Sequence, residues 1–337
     1  MIVYSEKYLE HNQEFHPENS QRLKAVMNYL TKEDVFERVP LLEPIKAGRN
    51  EILSVHTKEY YSRIEEASLR GTGMLDVDTY VNPATFDVAL LAAGGVLTCV
   101  DKAFGDYDIS FALIRPPGHH ATSDKAMGFC IFNNVAIGTV YAMKKYGAQR
   151  IAILDYDVHH GNGTQEIFYK SANVLYVSLH QSHLYPGTGA TEEIGEGQGT
   201  GYTINIPLPP MIGDKSYLRV ISEIALPIIK EFNPNVIFIS AGYDSHHSDP
   251  LGGMNLTTSC YAEVSRMLKD LGKRIVFALE GGYNTSFLPK AIYASISPLF
   301  DLPFGAEEQA EEDDRITSYV ESKITVAKRT LSNYWNL

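Results

Sequence analysis

Cysteine is scarce in this chain: only Cys99, Cys130 and Cys260 occur in 337 residues. They are scattered, odd in number and form no C-x-x-C pair. That excludes a disulfide framework and a cysteine-built zinc site, and it points to a reducing compartment, the cytoplasm. No run of eighteen apolar residues is present, so no membrane-spanning helix is expected. The opening residues, MIVYSEKYLEH, lack a basic stretch followed by an apolar one, which argues against a secretion signal. Basic residues are in deficit, 29 against 41 acidic, for a net charge of −12. Such a field repels nucleic acid and weakly favours cationic partners, although its commonest use is solubility. Pro/Gly/Ser linkers and internal repeats are also missing. One domain over residues 1–337 is therefore expected, with a core of about 1–300 and an acidic loop and helix over 305–337. A homo-oligomer is left open.

A 44% hydrophobic composition supplies a sizeable core. Short apolar runs rich in Val, Ile and Phe predict strands at Ile109–Ile114, Ile151–Leu154, Val174–Leu179, Val236–Ser240 and Ile275–Leu279. Between and around them, helical periodicity falls at Pro83–Phe104, Asn134–Tyr146, Lys215–Glu231 and Thr257–Leu271. This alternation predicts an α/β fold with a mostly parallel central sheet and helices on both faces. An acidic run, Glu307–Asp314, then precedes a helix at Ile316–Leu331. It reads as a solvated loop.

The informative pattern lies at the strand ends. The first strand runs into RPPGHH, ending at His119 and His120, and the second into DYDVHH. The third ends at His180, the fourth runs into AGYDSHH from Asp244, and the fifth into EGGYN, ending at Tyr283. Ligand sites in open parallel sheets gather beyond the carboxyl ends of the strands. Five segments therefore deliver imidazoles, carboxylates and a phenol to one edge.

Metal-assisted hydrolysis suits that set. Asp155, Asp157 and His159 share one side if strand geometry persists. Asp157 and His159 with Asp244 make three ligands, the number a catalytic zinc takes while keeping a position for water. The carboxylate-rich set also suits Fe(II), Mn(II) or Co(II). His119 and His120 are candidates for proton transfer. Tyr283, placed after two glycines that permit close backbone approach, can stabilise an oxyanion.

RPPGHH, GFCIFNNVAIG, DYDVHHGNGTQ, VSLHQ, YPGTG, AGYD with DPLGG, and LEGGYN, in this order, resemble the zinc-dependent histone deacetylase superfamily. That superfamily includes acetylpolyamine amidohydrolases and acetoin-utilisation proteins. The likeness runs from HPENSQRL to LEGGYN, and Asn162 in HHGNGTQ looks like the second class of these enzymes. The resemblance implies an arginase/deacetylase-like fold and removal of acetyl or short acyl groups from lysine side chains or similar alkylamines. It casts Asp157, His159 and Asp244 as zinc ligands and His120 as general base and acid, facing Asn162. His119 becomes its electrostatic partner, oriented by Asp155, and Tyr283 the transition-state tyrosine.

The likeness further implies a tunnel walled by Phe129 and Tyr185, with Gly128 beside the substrate amide. Leu251 and Asp78 fall on its rim. A polyamine-specific relative has Glu at the Leu251 position, so leucine argues against that selectivity. Structural potassium is implied at Asp155, Ser178 and the main-chain oxygens of Asp157, His159 and Leu179. A second such site involves Phe168, Val174 and Tyr202. Arg22 matches an arginine beside an acetate-release channel.

Two other functions stand beside this one. An acetylpolyamine or small-amide deacylase would use the same chemistry. A non-catalytic acyl-lysine binding module is weighed against by the complete set of five residues. Arginase-like enzymes would be expected to offer ligands for two metals, where one set is found here. His246 and His247 read as solvent-facing loop residues. His160, His180 and His183 read as supporting or structural, and Cys130 as a small hydrophobe near the tunnel floor.

Overall fold

A computed structural model describes residues 1–305, 308 and 310–337. Glu307, at the start of the expected acidic run, lies outside the described residues. Ten strands occur among them: β1 (Ile2–Val3), β2 (Leu41–Leu42), β3 (Gly73–Met74), β4 (Tyr80–Val81), β5 (Ile109–Ala112), β6 (Ile151–Asp155), β7 (Val174–Gln181), β8 (Thr203–Leu208), β9 (Val236–Ala241) and β10 (Arg274–Leu279). Eight of them form one sheet in the order β2-β1-β5-β10-β9-β6-β7-β8, and β3 and β4 pair as a small antiparallel hairpin. Every pair in the large sheet is parallel. The expected α/β domain is thus present, and wholly parallel in its main sheet.

β6 and β9 are buried at every position, as strands covered by helices on both faces must be. Helices Thr85–Ala103 and Asn134–Tyr146 pack together, and Leu288–Leu299 packs with Thr258–Lys269 and Gln21–Lys32. The Asn134–Tyr146 helix has the bounds its sequence predicts. The Asn133 side chain caps its start by accepting the Ala136 N–H (3.0 Å), and Gly147 ends it in the left-handed region at φ +65°.

The expected Lys215–Glu231 helix is interrupted. A π turn at Ile221–Ala225 joins Asp214–Val220 to Leu226–Phe232. Pro227 has no N–H to donate back along the helix, so the ladder must shift around it. Strands β1 and β2 are too short to show a pattern. β8 (TINIPL) is diluted by Asn205 and Pro207, a composition an edge strand tolerates. The C-terminal helix, Asp314–Leu331, is held to the body by Arg219 on Glu321 (2.9 Å) and Lys328 on Glu223 (3.0 Å). Beyond it, the buried Trp335 donates to the Gly201 carbonyl (2.8 Å).

The five strands with polar endings, β5, β10, β9, β6 and β7, are adjacent in the sheet. The loops that leave them therefore meet over its middle.

Candidate active site

Strand geometry does not persist past Asp155: β6 ends there, and Asp157 and His159 sit in a turn. Alternation is not what brings them together. The turn is tied by its own carboxylates, because the Asp157 N–H donates to Asp155 Oδ1 (3.2 Å) and the His159 N–H to Asp157 Oδ1 (2.9 Å). Across the sheet edge, Asp244 Oδ1 accepts the Val158 N–H (2.9 Å). His159 Nδ1 then lies 3.1 Å from Asp157 Oδ1 and 3.2 Å from Asp244 Oδ2.

One ligand atom from each of Asp157, His159 and Asp244 lies within 4.8 Å of the others. Both carboxylates are buried; His159 bridges them, and His119 Nε2 approaches Asp157 from the other side at 3.8 Å. Burial and the neighbouring Asp157 push Asp244 up to about 7. Burial pulls His159 down, but its hydrogen bonds to the two carboxylates outweigh this and hold it at about 10. Two carboxylate oxygens and one imidazole nitrogen facing one point are a donor set that fits a divalent ion.

Gly281 shows how tightly the loop after β10 closes on these ligands. Its N–H donates to Asp157 Oδ2 (2.8 Å), and a Cβ there would fall 2.1 Å from Asp244 Oδ2. This is the close approach that the two glycines before Tyr283 permit.

The paired histidines occupy different electrostatic settings. His119 Nδ1 faces Asp155 Oδ2 at 3.1 Å, and its Nε2 is 3.8 Å from Asp157 Oδ1. Burial alone would lower it, yet Asp155 and Asp157 raise it to about 10. His120 is driven well below the usual imidazole range by burial and by its neighbours His119 and His159. Its Nδ1 lies 2.8 Å from Asn162 Oδ1, while Asn162 Nδ2 turns to Met127 Sδ (3.5 Å). The network assigns the His120 proton to Nδ1 and leaves Nε2 as a free base.

Above them a cavity of about 260 Å³ is lined by Asp78, His120, Gly128, Phe129, His159, Leu184, Tyr185, Leu251 and Tyr283. All five expected tunnel and rim residues are in this lining, and Leu184 joins them. Tyr185 meets the His120 ring edge-on at 5.1 Å, and Phe129 meets Tyr283 at 5.6 Å. Gly128 has φ +55°, and a Cβ on it would lie 2.3 Å from the His120 ring. Asp78 Oδ1 accepts the Gly128 N–H (3.2 Å), so this carboxylate braces the wall. Burial raises the Tyr283 hydroxyl well above its ordinary range and keeps it a donor. Cys130 is buried beneath, its sulfur 3.4 Å from the His120 nitrogen.

Arg22 lies fully buried under the Tyr283 loop. It donates to the carbonyls of Gly282 (Nε, 2.6 Å) and Glu280 (Nη2, 2.6 Å), with its guanidinium 4.9 Å from the Tyr283 ring centre. At the implied potassium site, Asp155 is in register with Ser178. The Asp157 and His159 carbonyls accept no hydrogen bond among the described residues, which suits a cation there. At the second implied site the Phe168 and Tyr202 carbonyls already accept N–H groups from Ser171 and Tyr176, and Val174 begins β7. His160 bonds Thr188 and Gln165, and His180 bonds Ser178 and Gly189, so both are structural.

One expectation is corrected. His246 is 2% exposed, because Glu308 and Phe287 close over it; only His247 faces solvent. Three positioning carboxylates escaped the sequence reading. Asp249 accepts the N–H groups of Tyr283 (2.6 Å), Asn284 (3.1 Å) and Leu251 (3.0 Å). Glu280 accepts those of Gly118 and His119. Glu18 is clamped by Arg115 at 2.6 and 2.7 Å. Each sits inside a recognisable motif, DPLGG, LEGGYN or HPENSQRL, which was the available signal.

The histone deacetylase domain family matches residues 16–299, and the chain belongs to that family. It is 43% identical to a probable deacetylase of Archaeoglobus fulgidus, over 99% of this chain and 98% of that protein. It is 36% identical to a histone deacetylase-like amidohydrolase of Pseudomonas aeruginosa, over 84% of this chain and 76% of the relative. Among solved structures, the HDA15 HD domain superposes with a TM-score of 0.91 at 34% identity, covering 99% of this chain and 95% of the other. The protein is a hydrolase of the deacetylase/amidohydrolase kind. Among the described residues no helix is long and apolar enough to cross a membrane.

Proposed function

We propose that this protein is a zinc-dependent deacylase that removes acetyl or short acyl groups from lysine side chains of proteins or peptides. The observation that carries the reading is the convergence of Asp157, His159 and Asp244 within 4.8 Å at the base of a pocket that His120 and Tyr283 line. Held by those three residues, the ion would supply Lewis acidity toward the amide carbonyl and the attacking water.

The remaining chemistry belongs to side chains. His120 takes the water proton at Nε2, its Nδ1–H anchored on Asn162. The Tyr283 hydroxyl donates to the oxygen of the tetrahedral intermediate. His120 then gives its proton to the departing amine, and the C–N bond breaks. His119, kept charged by Asp155, favours the anionic transition state and discourages early protonation of His120. Phe129, Tyr185 and Leu251 offer an apolar channel to the alkyl chain. Potassium beside Asp155 and Ser178 would brace the ligand turn. Three free, buried cysteines suit a reducing compartment such as the cytoplasm.

Acetyl-lysine peptides should be turned over faster than acetylputrescine or acetylspermidine by the zinc-loaded enzyme, and Tyr283→Phe should lose about 10²–10³-fold in kcat with its zinc retained. Full activity of that variant would sink the mechanism. Preference for the free polyamines would move the substrate to the small-molecule class, which Asp78 at the pocket rim could serve.

A further inference from the structure

The loop that leaves Asp244 carries two of a second group of three metal-type ligands, which the hydrolytic site does not use. His246 Nε2 lies 3.1 Å from Glu308 Oε2, and one ligand atom from each of His246, His247 and Glu308 lies within 4.8 Å of the others. Ligands of a tetrahedral zinc, each about 2.0–2.1 Å from the ion, stand roughly 3.3 Å apart. Buried His246 and half-buried Glu308 therefore already have a ligand-like spacing.

The His246 ring is fixed by its surroundings. Its Nδ1 is 2.8 Å from Ser248 Oγ, and the ring stacks on Phe287 with centroids 4.9 Å apart. Engagement of Nδ1 by Ser248 leaves Nε2 to face Glu308, which is how a neighbouring group orients a ligating imidazole. Glu308 Oε2 is itself held by the Thr258 N–H at 3.0 Å. The His247 ring lies beside that of His246, tilted by 33° with centroids 4.3 Å apart, and makes no hydrogen bond among the described residues. Glu308 also borders a cleft of about 940 Å³ whose lining includes Glu33, Asp34 and Glu37 with Arg38 and Lys290. Acidic groups at that edge favour a cation.

We propose that His246, His247 and Glu308 form a second, exchangeable site for a borderline transition-metal ion such as Zn²⁺, Co²⁺ or Ni²⁺. Two imidazoles and one carboxylate supply three donors, and exposed His247 leaves the remaining position to water. The bound ion cross-links Glu308 to the Asp244–Leu251 loop. That loop steadies Tyr283 through Asp249 and lines the pocket through Leu251.

Chelator-treated protein of residues 1–337, re-equilibrated with zinc and freed of excess, should retain about two equivalents by elemental analysis. His247→Ala and Glu308→Gln should each retain about one, with circular dichroism unchanged. Asp157→Asn combined with His159→Ala should also retain about one, now at the outer site. Equal zinc content in wild type, His247→Ala and Glu308→Gln would overturn the proposal and leave His246–Glu308 as a hydrogen-bonded pair. Loss of all zinc from the folded Asp157→Asn/His159→Ala protein would overturn it too. Since the two variant sets empty different sites, failure of the outer site is distinguishable from failure of the hydrolytic one.

Discussion

At the scale of single residues, the decisive contrast is between two adjacent imidazoles. His119 and His120 share a turn, yet a carboxylate faces one and a neutral amide the other. Asn162 anchors the base without adding a charge that would protonate it. Asn162→Asp should raise the His120 pKa by roughly one to three units, as an adjacent carboxylate does. Because the base works only unprotonated, the acidic limb of kcat/KM should move to higher pH by that amount. A pH–rate profile of the two proteins checks this; coincident acidic limbs would remove His120 from the role of base. Gly128 poses a steric question at the same scale. Gly128→Ala puts a methyl into the His120 ring at a left-handed φ, so activity should fall at least tenfold, and stability measured by thermal unfolding should fall by more than the roughly 1 kcal/mol of backbone strain, because the ring must also shift.

Elements explain which parts could be read from sequence. Site residues come directly after β5, β6, β7, β9 and β10, whose apolar runs are short, continuous and bounded by polar motifs. The strand and the chemistry are then visible side by side in the sequence, and four of the five endings locate the site, while His180 lies within β7 and is structural. The π turn before Pro227 and edge strand β8 were not legible, since their form depends on helix and sheet partners. Glu18 was invisible as a buried group because its partner Arg115 lies 97 residues away, and a lone Glu reads as surface. His246 failed for the same reason, with Glu308 62 residues distant. Asp157 and His159 lie together by a geometry other than the expected one: carboxylate-to-amide bonds within the turn stand in for strand alternation.

For the whole molecule, the buried cluster of Glu18, Arg22 and Arg115 joins the N-terminal segment to the Tyr283 loop. Burial alone would raise the Glu18 carboxyl, but Arg115 and Arg22 outweigh it and lower it to about 2. A depressed carboxylate contributes stability that is fully present above the unfolded value of 4.5 and is lost as pH falls through about 2. The difference amounts to about 3 kcal/mol. Glu18→Gln should cost about 3–5 kcal/mol near neutral pH, since it strands two buried guanidinium groups. The penalty should shrink as pH falls from 4.5 towards 2. Urea unfolding of both proteins across that window is the measurement, and a penalty independent of pH would show that Glu18 is not the group that titrates.

The arrangement of the ligands has a kinetic consequence. Val158, in the turn between two of them, bonds Asp244 across 86 residues of chain, and the Gly281 N–H reaches Asp157 across 124. Contacts of such span close late, because loop entropy must be met before they form. A refolding chain should regain helical signal well before it regains turnover, so catalytic activity counts only molecules whose topology is complete.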